Sequence, residues 1–511
     1  MKLPVCRKGS AMDGLRKSKI WRHSMLDITL ACMLLLSLSA CTSVPTTATD
    51  ISSPVLTSST PSPFPSVAAP PTLTSLPEPT ATSELSNTGP WWIASAPENI
   101  WIMNTDGTSI TTLDIPGETR FYPSNLSVAP DGRHLAFRAG YQLAEGTSLY
   151  IVHLPEGAYQ RIDILQPFAD FSIDDFYPGT ASYDMSQANT ALNRDTSFAW
   201  SPDSSQLAFL GMIDGSSVDL YLYDLGSGNI TQLTDGPSQT YQVYWSPDGR
   251  YLLHAGVDSF GTGAGYSMAG LWAVDVPRNS INDVEMGMLR GDFIFHGWLD
   301  DETFLAASFS AVCGDFNLRA VNLRTGQVEV IWPSSYGAFA IDPSTWTMLL
   351  DAPDYAAGDP HCNGQGIAGL LLVDGNGEAR QMDSGVASHI LWSEALDAFI
   401  VELEEGVNLL SRDGTVLENL PAMPCLLPNN ADWAFMTGEP PGFWVGPAGT
   451  VPGIAVFDCD DRHWAWNPDG SMVSYMQNNV LFTAQSPEFI PAPAEENLTP
   501  PPSSLQWAEG N

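Results

Sequence analysis

Residues 245–254 read WSPDGRYLLH, and the phrase returns as WSPDSSQLAF at residues 200–209 and as WNPDGSMVSY at residues 466–475. Each copy reads as a strand, a tight turn and a second strand. Trp245 ends one apolar run, Pro247 presets φ for the turn, Asp248 and Gly249 supply its hydrogen-bonding and positive-φ residues, and Tyr251, Leu252 and Leu253 resume. Degenerate copies stand at 128–137 (VAPDGRHLAF), 298–307 (WLDDETFLAA), 341–350 (IDPSTWTMLL) and 392–401 (WSEALDAFIV), which makes seven anchors.

A second hairpin recurs between the anchors, as in DLYLYDLGSGNITQLT (219–234), NLRAVNLRTGQVEVIW (317–332), GLLLVDGNGEARQM (369–382) and GVNLLSRDGTVLENL (406–420). ENIWIMNTDGTSITTL (98–113) opens the series. The repeating unit is therefore four strands, here named a to d, with a ending at the anchor. Four-stranded units recurring about every 45 residues predict an all-β chain folded as a β-propeller. Seven anchors predict seven blades, with six and eight left open. The last anchor, Trp466, is followed by two strands only, SMVSYM and VLFTA, and residues 91–113 supply strands without an anchor, so the termini are expected to share a blade.

The anchors resemble the TolB-like, or WD40-like Pro-Asp (PD40), repeat family, whose units read W-S-P-D-G followed by an apolar strand and a Y-V-D-L type strand. Residues 245–250 match that pattern in full, and 200–203 and 466–470 nearly so. The resemblance covers most of residues 91–485. It implies a propeller that acts as a protein-interaction platform. The small α/β domain that precedes the propeller of TolB has no counterpart here, so no role in a Tol system follows from it.

The N-terminus carries a different signal. Seven basic residues from Lys2 to Arg22 precede an apolar run at 28–38, which ends Leu38-Ser39-Ala40-Cys41. This resembles a bacterial lipobox, which implies removal of residues 1–40 and acylation of Cys41. Residues 42–90 are mostly Ser, Thr, Pro and Ala with one aromatic, Phe64, and cannot build a core. Such a tether, at up to ~3 Å per residue, holds a domain on the order of 100 Å from a bilayer. The expected organisation is 1–40 signal, 41–90 lipidated Cys and disordered tether, 91–485 propeller, and 486–511 a Pro-rich disordered tail. The expected location is the bacterial cell envelope, outward-facing, with the lipid as the only membrane contact.

Charge narrows the partners. The chain has 20 Lys plus Arg against 58 Asp plus Glu, a formal net charge of −38. Residues 1–40 hold seven of the bases and two of the acids, so the remainder carries −43 and no Lys at all. This excludes nucleic acid and docking on anionic lipid. Such acidity attracts cations, Ca²⁺ among them, but the EF-hand spacing is absent, DGNGE at 374–378 reads as a hairpin turn, and no cofactor is expected.

Beyond residue 41 four cysteines remain, Cys313, Cys362, Cys425 and Cys459. An even number in an exported chain favours disulfides, and three pairings exist. The propeller topology favours Cys313 with Cys362, in equivalent b-to-c loops of successive blades, and Cys425 with Cys459. No CxxC spacing supports a zinc site.

In a propeller the a-to-b and c-to-d turns emerge on one face and the b-to-c and d-to-a connections on the other. The first class is tight here. The long connections, 165–197, 255–270, 352–369 and 421–463, belong to the second, and long loops on a rigid scaffold are where binding residues gather. Two of them mix aromatics with carboxylates. The candidate ligand-binding residues are Asp174, Asp175, Phe176 and Tyr177 in the first, and Trp433, Phe443, Trp444 and Asp460 in the second. Such pairings suit the C–H faces of sugars or cationic peptide side chains. The same aromatics would also serve as a packed lid. No nucleophile motif stands out, and no catalytic residue is assigned. The expected function is an envelope lipoprotein whose propeller binds an extracellular or periplasmic protein or glycan through its long-loop face. The alternatives are a carbohydrate-active hydrolase or lyase using loop-face carboxylates, and a structural scaffold for an envelope assembly.

Overall fold

In the computed structural model the chain divides into two units, Met1–Leu76 and Pro77–Asn511. The described residues run from 85 to 508 within the second unit, apart from short stretches of which 114–125, 284–292, 355–361 and 452–463 are the longest. Cys41 and the tether up to residue 84 lie outside them.

The WSPDG phrase folds as one compact turn. Ser246 N donates to Tyr251 O (2.8 Å) and Gly249 N to Ser246 O (2.9 Å). Ser246 Oγ donates to Asp248 Oδ1 (2.6 Å) and accepts from Tyr251 N (2.8 Å), while Asp248 Oδ1 accepts from Arg250 N (2.9 Å). Gly249 sits at φ +70°, which explains the glycine. In the copy at 200–209, Ser204 takes that position at φ 60°, and Ser201 repeats both roles of Ser246. In the third copy Asn467 replaces the serine, its Oδ1 accepting from Met472 N (2.8 Å).

The strands that these turns join form four-stranded antiparallel meanders, nine of them among the described residues. Eight run in chain order: Ser127–Val128 to Tyr159–Leu165, Phe198–Trp200 to Ile230–Gln232, Gln239–Trp245 to Ser280–Asp283, Phe293–Trp298 to Gln327–Tyr336, Phe339–Asp342 to Ala379–Asp383, Ala387–Ser393 to Val416–Leu420, Pro424–Leu426 to Gly449–Val451, and Trp464–Trp466 to Ala492–Asn497. The ninth combines Trp91–Ala96, Asn99–Asn104 and Ile110–Thr112 with the C-terminal strand Ser504–Ala508. First strands of neighbouring sheets contact one another, whereas fourth strands such as Ile230–Gln232 and Val416–Leu420 are exposed. The fold is an all-β propeller of four-stranded blades.

The core lies between consecutive sheets. Trp91, Ile93 and Ile100 pack on Phe137, Tyr150 and Val152 of the next sheet, and Trp92 and Met103 pack on Leu481 of the sheet before. Further round, Leu305, Leu318 and Trp332 meet Met348, Leu350 and Leu371. Both faces of a blade are thus buried, as near-continuous apolar strands such as Gly369–Val373 require. The anchor tryptophans also tie blades together. Trp200 Nε1 donates to Ser127 O (3.2 Å) and Trp245 Nε1 to Ala199 O (3.0 Å), each reaching the first strand of the preceding sheet.

The structure corrects three expectations. Nine sheets stand where the anchors predict seven blades, because the sheet Pro424–Val451 has no Trp-Pro-Asp phrase and the Trp466 sheet is complete without the N-terminal strands. The termini do share a sheet, but through Ser504–Ala508, so the tail is not structureless: Gln506 Nε2 donates to Leu126 O (2.7 Å), its Oε1 accepts from Val128 N (3.2 Å), and the Trp92 and Trp507 rings lie 4.7 Å apart. Proline-rich flanks hid two strands, Ala492–Asn497, which pairs with the neighbouring Val480–Gln485, and Ser504–Ala508, whose partner Trp91–Ala96 is distant in sequence. Finally, 421–463 is not one loop, since four short strands occupy it.

Candidate functional site

The a-to-b and c-to-d turns of these sheets span two to six residues, and every longer connection is of the b-to-c or d-to-a class. The longest, residues 166–197, is more ordered than its sequence announces. It contains a 3-10 turn, Ile173–Asp175, and a helix, α1, Ala181–Leu192. Thr180 caps α1, its Oγ1 accepting from Tyr183 N (3.3 Å). Met185, Ala188, Ala191 and Leu192 bury the inner side of α1 in the same cluster as Tyr241 and Phe260. Gln187, itself buried, acts as a substitute strand: its Nε2 donates to Phe260 O (3.1 Å) and its Oε1 accepts from Phe260 N.

On this mount sit four of the expected residues. Asp174 and Asp175 are exposed in the 3-10 turn, Tyr177 is 58% exposed, and half-buried Phe176 lies 6.2 Å from Phe171 and 5.3 Å from Tyr183, ring centre to ring centre. Phe176 is the packing residue and Tyr177 the presented one. Three of the other four lie on two paired strands of one sheet. Trp433 lies in the strand Trp433–Thr437, and Phe443 and Trp444 in Gly442–Gly446, with Phe435 opposite Trp444. All three are strand residues of a blade. Asp460 and Cys459 lie outside the described residues, and Cys425 is in the strand Pro424–Leu426.

The sulfur atoms of Cys313 and Cys362 stand 2.20 Å apart with Cα atoms at 5.2 Å, the pairing expected of equivalent loops on successive sheets. In the sheet that carries Cys313 lies a polar cluster that sequence reasoning missed. His296 is the extra residue of a β-bulge in Phe293–Trp298, where the register skips from Phe295 to Gly297. The bulge sets its Nε2 2.8 Å from Tyr336 Oη and 3.7 Å from Asp315 Oδ2, with Phe339 packed edge-on at 5.0 Å. Burial pushes the imidazole down to about 4, and it raises both the Asp315 carboxyl and the Tyr336 hydroxyl. His296 is therefore neutral near pH 7 and shares a hydrogen bond with Tyr336. A recognisable signal was absent, because a lone His in an apolar strand reads as core.

No family model matches the chain. A stretch of 60 residues is 38% identical to the uncharacterized peptidase YuxL of Bacillus subtilis (strain 168), which is 12% of this chain and 9% of that protein's length. Among solved structures the chain is similar to TolB from Acinetobacter baumannii, with 15% identity, 58% of this chain and 63% of that one covered, and a TM-score of 0.29. It is also similar to a eukaryotic initiation factor, with 10% identity, 83% and 99% covered, and a TM-score of 0.49.

A second bulge places Ser388 beside His389 and Glu402. Glu402 Oε2 accepts from Ser388 Oγ (2.7 Å) and lies 2.7 Å from His389 Nδ1. Both bonds hold its carboxyl below the usual range. The serine is thus hydrogen-bonded to the carboxylate and not to the imidazole, which is the wrong order for activating a nucleophile. The Asp374 turn is a hairpin as expected, its Oδ1 accepting from Asn376 N and Glu378 N at 2.9 Å each. No group of three metal-ligating side chains occurs among the described residues.

Proposed function

We propose that this chain is an exported, lipid-anchored β-propeller that presents its long-connection face to an extracellular protein or glycan and binds it. The observation that carries the reading is the mounted segment of residues 168–184, where a helix fixed to the blades by Gln187 holds apolar and acidic side chains out in solvent. Long connections on a rigid scaffold, placed on one face, are a binding arrangement. The lipobox-like Leu38-Ser39-Ala40-Cys41 and the Ser/Thr/Pro tether support surface display.

Two measurements test it. Intact mass of the native protein should show loss of residues 1–40 and a mass added at Cys41; an unmodified, full-length N-terminus would reject the anchor. An array of envelope peptides and glycans should retain the chain without a change in ligand mass. Product formation would instead favour the hydrolase or lyase reading.

A further inference from the structure

Residues 168–184 combine exposure, order and uncompensated charge. Phe171 is 42% exposed, Ile173 74% and Tyr177 58%, three large apolar side chains in solvent within seven residues. They are held in place. Thr180 Oγ1 donates to Asp175 O (2.5 Å) and Tyr177 O (2.9 Å), Ser172 N donates to Ser182 Oγ (3.1 Å), and Phe176 wedges between Phe171 and Tyr183. A surface that needs no ordering on binding loses less entropy there.

The rim is anionic. Asp170, Asp174, Asp175 and Asp184 are interleaved with and follow these side chains along the segment, and none forms an ion pair among the described residues. From residue 166 to residue 193 the sequence holds no Lys, Arg or His. The first cation after it, Arg194, lies over the Tyr241 ring at 5.2 Å.

We infer that this knob docks a cationic polypeptide segment of another protein, one in which Lys or Arg side chains neighbour apolar ones. The inference rests on the proposed binding role of this face and names the chemistry of its ligand. The most exposed of the three apolar residues, Ile173, offers no flat ring for a sugar to stack on, and carboxylates only accept hydrogen bonds. A basic segment answers both features: its charges meet the rim and its apolar side chains cover the centre. A second copy of this chain does not, because beyond residue 40 it carries −43 and no Lys. Surface charge of this kind steers encounter and is screened by salt, whereas the apolar trio holds the complex.

The test is a fluorescence titration of the full-length chain with three labelled peptides of equal length, one of Lys and Leu, one of Lys and Gly, and one of Gln and Leu, alongside a panel of labelled neutral oligosaccharides. The Lys/Leu peptide should bind at least tenfold tighter than the other two. Phe171→Ser with Tyr177→Ser, or Ile173→Ser alone, should weaken it tenfold with charge unchanged, and Asp174→Asn with Asp175→Asn should do the same and flatten its salt dependence. Glu378→Gln with Glu418→Gln, two exposed acids elsewhere, should change nothing, and melting curves should match the unaltered chain throughout. Equal affinity for the two Lys peptides, or equal loss in the control variant, would mean adsorption to net negative charge and overturn the inference. Binding of an oligosaccharide that ignores all the knob variants would overturn it too while leaving a ligand-binding propeller in place. No binding of any probe would count against both.

Discussion

At the scale of single residues, the anchor serine and the buried histidines have measurable consequences. Ser246 is wholly buried, and its hydroxyl both donates to Asp248 and accepts from Tyr251 N. Ser246→Ala leaves that N–H and that carboxylate short of a partner, and should cost about 1–3 kcal/mol of stability, read by chemical denaturation. His254 stacks on Trp272 with ring centres 5.6 Å apart, and burial pushes it from 6.5 down to about 4. Between those two values the unfolded chain holds a proton that the folded chain lacks, so stability rises with pH through that window and falls on acidification. By pH 5 this ring alone has removed on the order of 2 kcal/mol. His254→Phe keeps the stack and should flatten the melting temperature between pH 7 and pH 5. His296 and His134, both also pushed down by burial, act in the same direction. An unchanged slope would show that the ring is protonated in the native state.

Among elements, α1 shows how a long connection becomes a platform. Its stability is tertiary, since it depends on Gln187 pairing with both backbone groups of Phe260. Gln187→Ala strips a buried N–H and C=O of their partners and should destabilise this corner by about 2–3 kcal/mol. Hydrogen exchange should rise across residues 168–192 while Leu207–Leu210 of the neighbouring blade stays protected. Uniform loss of protection would mean that α1 is part of the global folding unit.

For the whole molecule, closure is the decisive feature. Ser504–Ala508 covers the edge of Trp91–Ala96 and, through Gln506, holds the next sheet as well. Ending the chain at residue 503 should lower the melting temperature and produce concentration-dependent association, because it bares an apolar strand edge. Calorimetry and light scattering read both effects, and a monomer of unchanged melting temperature would refute closure by this strand. The Cys313 and Cys362 pair bridges two blades over a separation of 49 residues. Non-reducing peptide mapping should recover that bond, whose loop is long enough to stabilise by about 4 kcal/mol if the effect is on the unfolded chain's entropy.

What the sequence determined by itself was whatever depends on neighbours along the chain. The W-S-P-D-G turn, the four-strand period, the tight turns on one face and the acidity were all legible, because each turn is closed by side chains one to five residues apart and each strand shows its apolar run. Asp174, Asp175, Phe176 and Tyr177 stand together for the same reason, as neighbours along one connection. Tertiary structure alone decided the rest. Blades without the phrase became visible only through their pairing, Trp433 and Trp444 proved to be strand residues, and Gln506 found partners some 380 residues away. His296 acquired its environment from a bulge that aims it at Tyr336 and Asp315. Long-range pairing and burial leave no periodic trace in the chain, since the groups that satisfy them are brought together only when the blades close.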